Sequence, residues 1–182
     1  LGSWKGDHHA ELTAPAIYNN ILSQIMRMAM SDEITDKAFE TIAATSILKN
    51  SYEQFIKNEN SLWWDNQNTE VKETRTMIVE NAANKTISLL TEIAGADPKN
   101  WKWGKIHTLT HNHAFNSVKP LRAFFNVGPF EVSGGSEVLN NLHYKLDTTG
   151  YFRVEGGPAL RKITDFGDPE NGVTVSPTGQ SG

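Results

Sequence analysis

The sequence contains no cysteine. This absence excludes disulfide bonds, iron–sulfur clusters, thiol catalysis and zinc sites built from thiolates. It leaves the compartment open, because a cysteine-free chain suits reducing and oxidising surroundings equally. The sequence also lacks any apolar run approaching the ~20 residues of a membrane-spanning helix, and no signal-type hydrophobic stretch opens it.

Charge of either sign is modest as well. The chain carries 17 Lys and Arg residues and 21 Asp and Glu residues, which gives a formal net charge of −4. The basic residues are scattered along the chain, whereas nucleic-acid binding requires a concentrated positive surface. This pattern excludes nucleic acid as a partner.

The sequence does contain enough apolar material for one domain with a buried core. It has 182 residues, of which 38% are hydrophobic, and a chain of ~150 residues already buries roughly 70% of its unfolded surface. The start at Leu1 and the end at Gly-Gln-Ser-Gly lead us to expect a piece of something larger. The composition changes at Gly95, which predicts a helical segment over residues 1–95 and a strand-rich segment over residues 96–182, together one partial α+β domain.

Apolar residues at spacings of three and four predict helices throughout the first half. Pro15 suits a first helical turn, and Gly95 followed by Pro98 is typical of a helix end. The predicted helices run from Thr13 to about Met30, from Thr35 to about Leu48, over residues 51–58, and from Thr69 to about Ala94.

Beyond Gly95 the apolar period shortens from 3.6 toward 2, which is typical of strands. Pairs such as Gly128-Pro129 and Asp168-Pro169 are turn signals between them. The predicted strands cover residues 105–111, 137–146 and 160–166.

Three histidines in the second half have a spacing that suits a metal ion. His107, His111 and His113 would share one face of a strand, and imidazole is a common zinc or copper ligand. No acidic residue follows closely to complete a hydrolytic metal site. Two interpretations remain open, a histidine-metal enzyme and histidines that only form structural hydrogen bonds.

Polar residues within the predicted strands are further candidates. Asn140 and Asn141 could donate to an oxyanion or tie neighbouring backbone groups together. Arg161 and Asp165, if their strand is central, must pair, either to orient a catalytic amine or to brace the fold. The chain has no serine-elbow, zinc-protease, phosphate-loop or dinucleotide motif, so the nucleophile of any enzyme is expected elsewhere.

Tryptophans suggest an alternative function. Trp63 and Trp64, with Trp101 and Trp103, could hold a ligand in a non-catalytic, tryptophan-rich binding module. The other interpretation is that the adjacent pair only packs its loop onto the helices or onto an absent partner segment. The same choice, between a pliable binding face and core packing, applies to Met26, Met28 and Met30.

Four motifs in a fixed order carry a family resemblance. They are W-x-W-G-x-x-H from Trp101 to His107, G-P…G-G from Gly128 to Gly135, G-P-A-x-R-x-I-x-D-F-x-D from Gly157 to Asp168, and P-x-G-Q-S-G from Pro177 to Gly182. Together they resemble the C-terminal part of the β chain of penicillin acylases. The helical half is similar to the segment that precedes the first motif in that family, so the likeness covers nearly the whole chain.

The resemblance implies an N-terminal nucleophile hydrolase with a four-layer αββα sandwich, to which this chain contributes helices and mostly antiparallel strands. In that family a precursor cleaves itself into α and β chains, and the serine exposed at the β N-terminus attacks an acyl amide. Its own α-amino group acts as the base, for which a pKa of about 7.7–8.0 is suitable. Members are periplasmic or secreted and cleave small acyl amides, including β-lactam antibiotics and, in relatives, acyl-homoserine lactones.

Because Leu1 is not that serine, the resemblance implies a chain that is inactive alone. Its partners would be the rest of the β chain and the α chain, and the family's calcium ligands would lie upstream, so no cofactor is expected here. The family's oxyanion asparagine belongs to an earlier Asn-Asn pair, which Asn140 and Asn141 do not match. Asp165 is the one transferable residue, since an acid on the similar strand of cephalosporin-cleaving relatives helps to hold the nucleophile's amine.

Overall fold

Helices fill the first half of the chain and short antiparallel strands the second. The computed structural model describes residues 2–175, and within them it has an α+β architecture. Every helix in this part is too short or too polar to cross a membrane. The helices are α1 (Ala14–Met30), α2 (Asp36–Ala43), α3 (Ile47–Lys57), α4 (Arg75–Ala94), α5 (Trp103–Ile106) and α6 (Arg122–Phe125), and the strands are β1 (Thr108–His111), β2 (Val127–Glu131), β3 (Arg161–Asp165) and β4 (Asp168–Val175).

The two longest helices, α1 and α4, pack side by side and form the centre of the helical layer. The start of α1 is as predicted, although the Thr13 hydroxyl donates to the Pro98 carbonyl at 3.3 Å and does not cap the helix. The end of α4 is also as predicted. Gly95 adopts a φ of +86°, a conformation that favours glycine, and its N–H closes the last turn on the Thr91 carbonyl.

The start of α4 differs from the prediction. The Thr69 hydroxyl donates to the Glu73 carboxylate at 2.8 Å, in a loop that precedes the helix. The N-cap is Thr74, whose hydroxyl accepts from the N–H of Met77 at 3.4 Å. Both threonines fit the pattern of an N-cap, and the contact with Glu73 commits the first of them to the loop. Val71, which falls within the predicted helix, lies in this loop and is exposed.

The boundary between α2 and α3 also lies elsewhere than predicted. α2 ends at Ala43 instead of Leu48, and α3 begins at Ile47 instead of residue 51. Thr45 accounts for the break, because its hydroxyl donates to the Ile42 carbonyl at 2.6 Å and accepts from the Ile47 N–H at 3.2 Å. Side-chain hydroxyls that bond to nearby backbone groups compete with helical hydrogen bonds.

The strand half forms an irregular layer against the helices. β1 pairs with β2 in antiparallel register, with Thr108 opposite Glu131. On the other side of β1, the N–H of Val154 donates to the Thr108 carbonyl at 2.9 Å, and the N–H of Glu155 donates to the His143 carbonyl at 2.9 Å. Four segments therefore lie edge to edge, in the order β2, β1, residues 152–155 and residues 141–143.

The prediction of a regular strand over residues 137–146 is wrong. Within the described chain this segment takes part only in isolated bridges. Its side chains do alternate, since Leu142, Tyr144 and Leu146 are buried and the residues between them are exposed. The ladder is interrupted because the Leu146 N–H donates to the Ala43 carbonyl of the helical half at 3.1 Å.

The other strands agree with the predictions in part. β1 is shorter than residues 105–111, because α5 occupies the start of that range. Gly128-Pro129 and Asp168-Pro169, which we assigned to turns, lie within β2 and at the start of β4. Proline is tolerated in exposed strands, where its missing N–H disrupts little pairing. β3 lies within the predicted residues 160–166 and forms an exposed antiparallel hairpin with β4.

A core of aromatic rings joins the two halves. Trp103 and Phe152 are fully buried and contact Tyr144 from the strand half, and Ala16 and Leu90 from α1 and α4 complete the cluster. Burial of one large apolar side chain contributes about 1.5–3 kcal/mol, so this cluster is a main source of stability. We call this side of the strand half the inner side.

Candidate functional site

Three of the residues singled out in the sequence lie around one cavity of about 1030 Å³ beside β1. His111 lines it from the end of β1, Asn140 from the loop after β2, and Arg161 from the start of β3. The carboxylates of Glu131 and Glu155 belong to the same lining. The fold thus collects polar and charged side chains from segments that are distant in the sequence.

Arg161 and Asn140 make a direct contact in this cavity. The guanidinium group donates to the Asn140 side-chain oxygen at 2.6 Å, and the Asn140 amide donates to the Ser133 carbonyl at 2.8 Å. Asn140 therefore ties neighbouring groups together, which is one of its two predicted roles. The pairing of Arg161 with Asp165 was expected only for a central strand, and β3 is exposed, so this condition is not met.

Asp165 lies outside the cavity lining, at the turn of the β3–β4 hairpin. Its Oδ1 accepts from the N–H of Gly167 at 2.8 Å, and the residue is exposed. This contact uses one carboxylate oxygen for the local turn. The other oxygen makes no hydrogen bond to residues 2–175.

His107 is a buried core residue. Its ring stacks on Trp103 with centroids 4.6 Å apart, and its Nδ1 donates to the Phe152 carbonyl at 2.7 Å. Burial lowers the pKa of His107 to about 4, so the ring is neutral near pH 7. Its Nε2 is buried without a hydrogen-bond partner among residues 2–175.

The three histidines do not converge. β1 begins after His107 and ends at His111, so the strand face that we expected them to share does not exist. His113 lies beyond the strand, where its Nδ1 accepts from the Phe115 N–H at 3.1 Å and its ring stacks near Phe125. Residues 2–175 contain no group of three or more His, Asp or Glu side chains arranged to hold a metal ion, so the histidine-metal interpretation is wrong for this region.

The tryptophans do not form a shared binding surface either. Trp64, Trp101 and Trp103 are buried, and each indole N–H donates to a backbone carbonyl at 2.8 Å. Trp63 alone among the four is exposed, at 38%. The structure therefore contradicts the tryptophan-rich ligand-binding module and supports packing. The methionines of α1 pack into the core as well, with Met26 fully buried.

A second group of polar contacts, centred on Lys49, was not predicted from the sequence. The Lys49 amine donates to the Ser136 hydroxyl and to the Tyr144 carbonyl, each at 2.6 Å. These residues lie 87 and 95 positions from Lys49 in the chain, so no local pattern could reveal the contact. One signal in the sequence could have drawn attention to this contact. Lys49 lies in α3 next to the buried Leu48 and close to Tyr52, so its stem is near the buried face of the helix.

Comparison with known proteins identifies a family to which the chain is similar. The sequence model of the penicillin amidase family matches residues 1–182. The chain is similar to acyl-homoserine lactone acylases QuiP, with 27% identity to that of Pseudomonas fluorescens strain Pf-5 over 92% of this chain and 20% of the relative. Identity is 26% for Pseudomonas syringae pv. syringae and 24% for Pseudomonas aeruginosa, each over 100% of this chain and 23% of the relative. The chain thus spans about a fifth of the length of these relatives.

Proposed function

The chain belongs to the penicillin amidase family, and on this premise we propose that it is the C-terminal part of the β chain of an amide hydrolase. The hydrolase would cleave acyl amides through an N-terminal serine that lies in another part of the precursor. The α-amino group of that serine, with a pKa of about 7.7–8.0, would serve as the base. The rest of the β chain and the α chain are the partners in this proposal.

One observation carries the proposal, the amount of apolar side-chain surface that the strand half leaves uncovered. Phe166 is 95% exposed, Phe124 82% and Ile163 73%. Further apolar side chains of β2 and β4 are about half exposed. Exposed apolar side chains of this size and number favour burial against other chain segments. We name this set the outer surface, and it comprises Phe124, Val127, Phe130, Ile163, Phe166, Val173 and Val175.

The layers support the same proposal. The described residues form a helical layer packed on the irregular strand layer of β1, β2 and the segments beside them, and the β3–β4 hairpin is a separate two-stranded sheet. A four-layer αββα sandwich needs a second strand layer at about 10 Å from the first, because packed sheets keep that separation. In our proposal, strands from the rest of the precursor cover the outer surface and complete the sandwich.

The substrate proposed is a small acyl amide. The relatives are named for acyl-homoserine lactones, in which an acyl group is joined through an amide, and we propose that class for the complete enzyme. The acyl pocket would lie in the upstream part of the precursor. A periplasmic or secreted location is also proposed, from the family resemblance alone.

Asp165 is proposed as a residue that positions the N-terminal amine of the nucleophile. It is exposed at the turn of the hairpin, and one of its carboxylate oxygens is engaged in the turn. The remaining oxygen is available to a cation outside this chain. A carboxylate near an amine favours the charged form of the amine, so the role would be orientation of the amine before proton transfer.

The complete precursor tests the main proposal. We expect it to hydrolyse an N-acyl-homoserine lactone only after it separates into two chains, with serine as the first residue of the chain that contains residues 1–182. Intact-mass measurement and N-terminal sequencing identify the chains. A single species of 20.2 kDa with full activity would contradict the proposal.

The substitution Asp165→Asn tests the positioning role. Asparagine keeps the Oδ1 that accepts from Gly167, so the turn is preserved while the negative charge is removed. We expect about a tenfold lower kcat, which corresponds to about 1.4 kcal/mol, with an unchanged melting temperature. Asp168→Asn is the matched control on the opposite strand position and should keep its activity. Equal activities of the two variants would remove Asp165 from the site.

A further inference from the structure

A cavity of about 420 Å³ lies between the first loop of the chain, α1, α3 and the segment after β2. Four aromatic side chains, Trp4, Tyr18, Tyr52 and Tyr144, are among the residues that line it. The Trp4 and Tyr18 rings have centroids 5.2 Å apart, and Tyr52 meets Tyr18 edge to face at 6.5 Å. This volume is within the 300–1,000 Å³ of typical small-molecule pockets, and an aromatic wall suits a flat ring.

One end of this cavity is polar. Lys49 and Ser136 both line it, and the Lys49 amine bonds to the Ser136 hydroxyl and the Tyr144 carbonyl at 2.6 Å each. An ammonium group has three N–H donors, so these two contacts leave one donor for a ligand. The Ser136 hydroxyl has its own hydrogen, whose partner in the protein, the Tyr144 carbonyl, is 3.3 Å away. Two donors can therefore turn toward a ligand acceptor.

The amine remains a cation near neutral pH. Burial lowers the pKa of Lys49 to about 8, and the carboxylates of Glu137 and Glu155 act in the opposite direction. A protonated lysine donates to Ser136 and cannot take its proton, so this pair is suited to binding and not to activating a nucleophile. The Lys49 amine also lies 4.4 Å from the centroid of the Tyr144 ring, which supports the positive charge.

We propose that this cavity binds a small aromatic carboxylate, with the ring against the Trp4, Tyr18 and Tyr52 side chains that line it and the carboxylate on Lys49 and Ser136. Charge-assisted hydrogen bonds to a carboxylate are about twice as strong as neutral ones, so an ammonium beside a hydroxyl favours that group. Glu137 also lines the cavity, so the ligand carboxylate is placed on the Lys49 ammonium, where a cationic group would be repelled. This second site does not depend on the proposed amide hydrolysis.

A heavy-atom probe, 4-iodobenzoate, tests the site in the mature protein. Calorimetry should show binding, and anomalous scattering from a soaked crystal should place iodine against the aromatic side chains that line the cavity. Lys49→Met removes the charge at similar length and should weaken binding at least tenfold. Lys37→Met, at an exposed lysine of α2, should leave binding unchanged. Ser136→Ala keeps the Lys49 amine and should weaken binding about threefold. This second variant keeps the proposal testable if Lys49→Met does not fold.

Ionisation of the amine gives an independent test. The titratable groups around the Lys49 amine are His8, Tyr18, Tyr52, Glu137, Tyr144 and Glu155. With a pKa of about 8, the charged fraction of Lys49 falls about tenfold from about pH 7 to about pH 9, and affinity for 4-iodobenzoate should fall with it. Affinity for the neutral 4-iodobenzamide should not change. Iodine located elsewhere at saturation, or binding that survives in both Lys49→Met and Ser136→Ala, would overturn the proposal.

Discussion

The inner side and the outer surface of the strand half contain similar apolar side chains in opposite situations. On the inner side, Trp103, Tyr144 and Phe152 lie within 5.0–5.7 Å of one another, ring centroid to ring centroid, and are buried. On the outer surface, Phe124 and Phe166 are almost fully exposed. The difference separates the apolar surface that this chain buries by itself from the apolar surface that, in our proposal, the rest of a precursor covers.

The largest expected effect comes from the inner side. Trp103→Ala removes a fully buried ring and the N–H that donates to the Gly134 carbonyl. We expect the free energy of unfolding to fall by about 3–5 kcal/mol, as is usual for loss of a buried tryptophan. Chemical denaturation of the mature protein measures it. Trp63→Ala, at a partly exposed ring, is the control and should cost less than about 1 kcal/mol. Equal losses would show that the full burial of Trp103 adds no stability beyond that of a partly exposed ring.

The second prediction concerns the stability that is lost at acid pH when His107, which stacks on Trp103 of the inner side, becomes protonated. His107 has a pKa of about 4 when folded and 6.5 in its ordinary state, so the unfolded chain binds a proton first as pH falls. The contribution of the neutral His107 ring to stability is therefore fully present above about pH 6.5 and is lost as the pH falls to about 4. The expected loss is about 3 kcal/mol, at 1.36 kcal/mol for each pKa unit.

A variant isolates this contribution from other titrating groups. His107→Gln keeps a side-chain donor for the Phe152 carbonyl but does not titrate. Its unfolding free energy should decrease less between about pH 6.5 and about pH 4 than that of the wild type, with the difference near 3 kcal/mol. Parallel curves would show that the burial of His107 has no energetic consequence.

The smallest expected effect is a difference in stability between substitutions at two glycines. The Gly134 carbonyl accepts the indole N–H of Trp103, and the Gly95 carbonyl accepts that of Trp101. Both have positive φ, +104° and +86°. A Cβ at Gly134 would lie 2.3 Å from the Asn140 carbonyl oxygen, whereas a Cβ at Gly95 meets nothing within 4 Å. Gly134→Ala should therefore cost about 2–3 kcal/mol and Gly95→Ala about 1 kcal/mol. Thermal unfolding distinguishes them, and the reverse order would contradict the geometry.

Much of the helical half could be predicted from the sequence because its signals are local. The start of α1, the Thr35 cap of α2 and the end of α4 at Gly95 depend on residues within a few positions of each helix end. The errors there have local causes too. The Thr45 and Thr69 hydroxyls bond to neighbouring groups in ways that the apolar period does not reveal.

The strand half was less predictable because its contacts are distant. Alternation over residues 137–146 indicated which side chains are buried, but the partners of the backbone lie in segments far along the chain. The contact of Lys49 with Ser136 has the same cause. The P-x-G-Q-S-G motif at Pro177 to Gly182 lies outside the residues that the structure describes. The role of Asp165 stays a prediction, since no contact within residues 2–175 tests it.

Hydroxyl-radical footprinting of the mature protein tests the central claim most directly, because it measures how accessible each phenylalanine ring is. If the rest of the precursor covers the outer surface, Phe124, Phe130 and Phe166 should be oxidised as slowly as the buried Phe152. Oxidation at the rate of the denatured protein would show that the outer surface stays open, and would contradict the proposal that this chain completes a larger hydrolase.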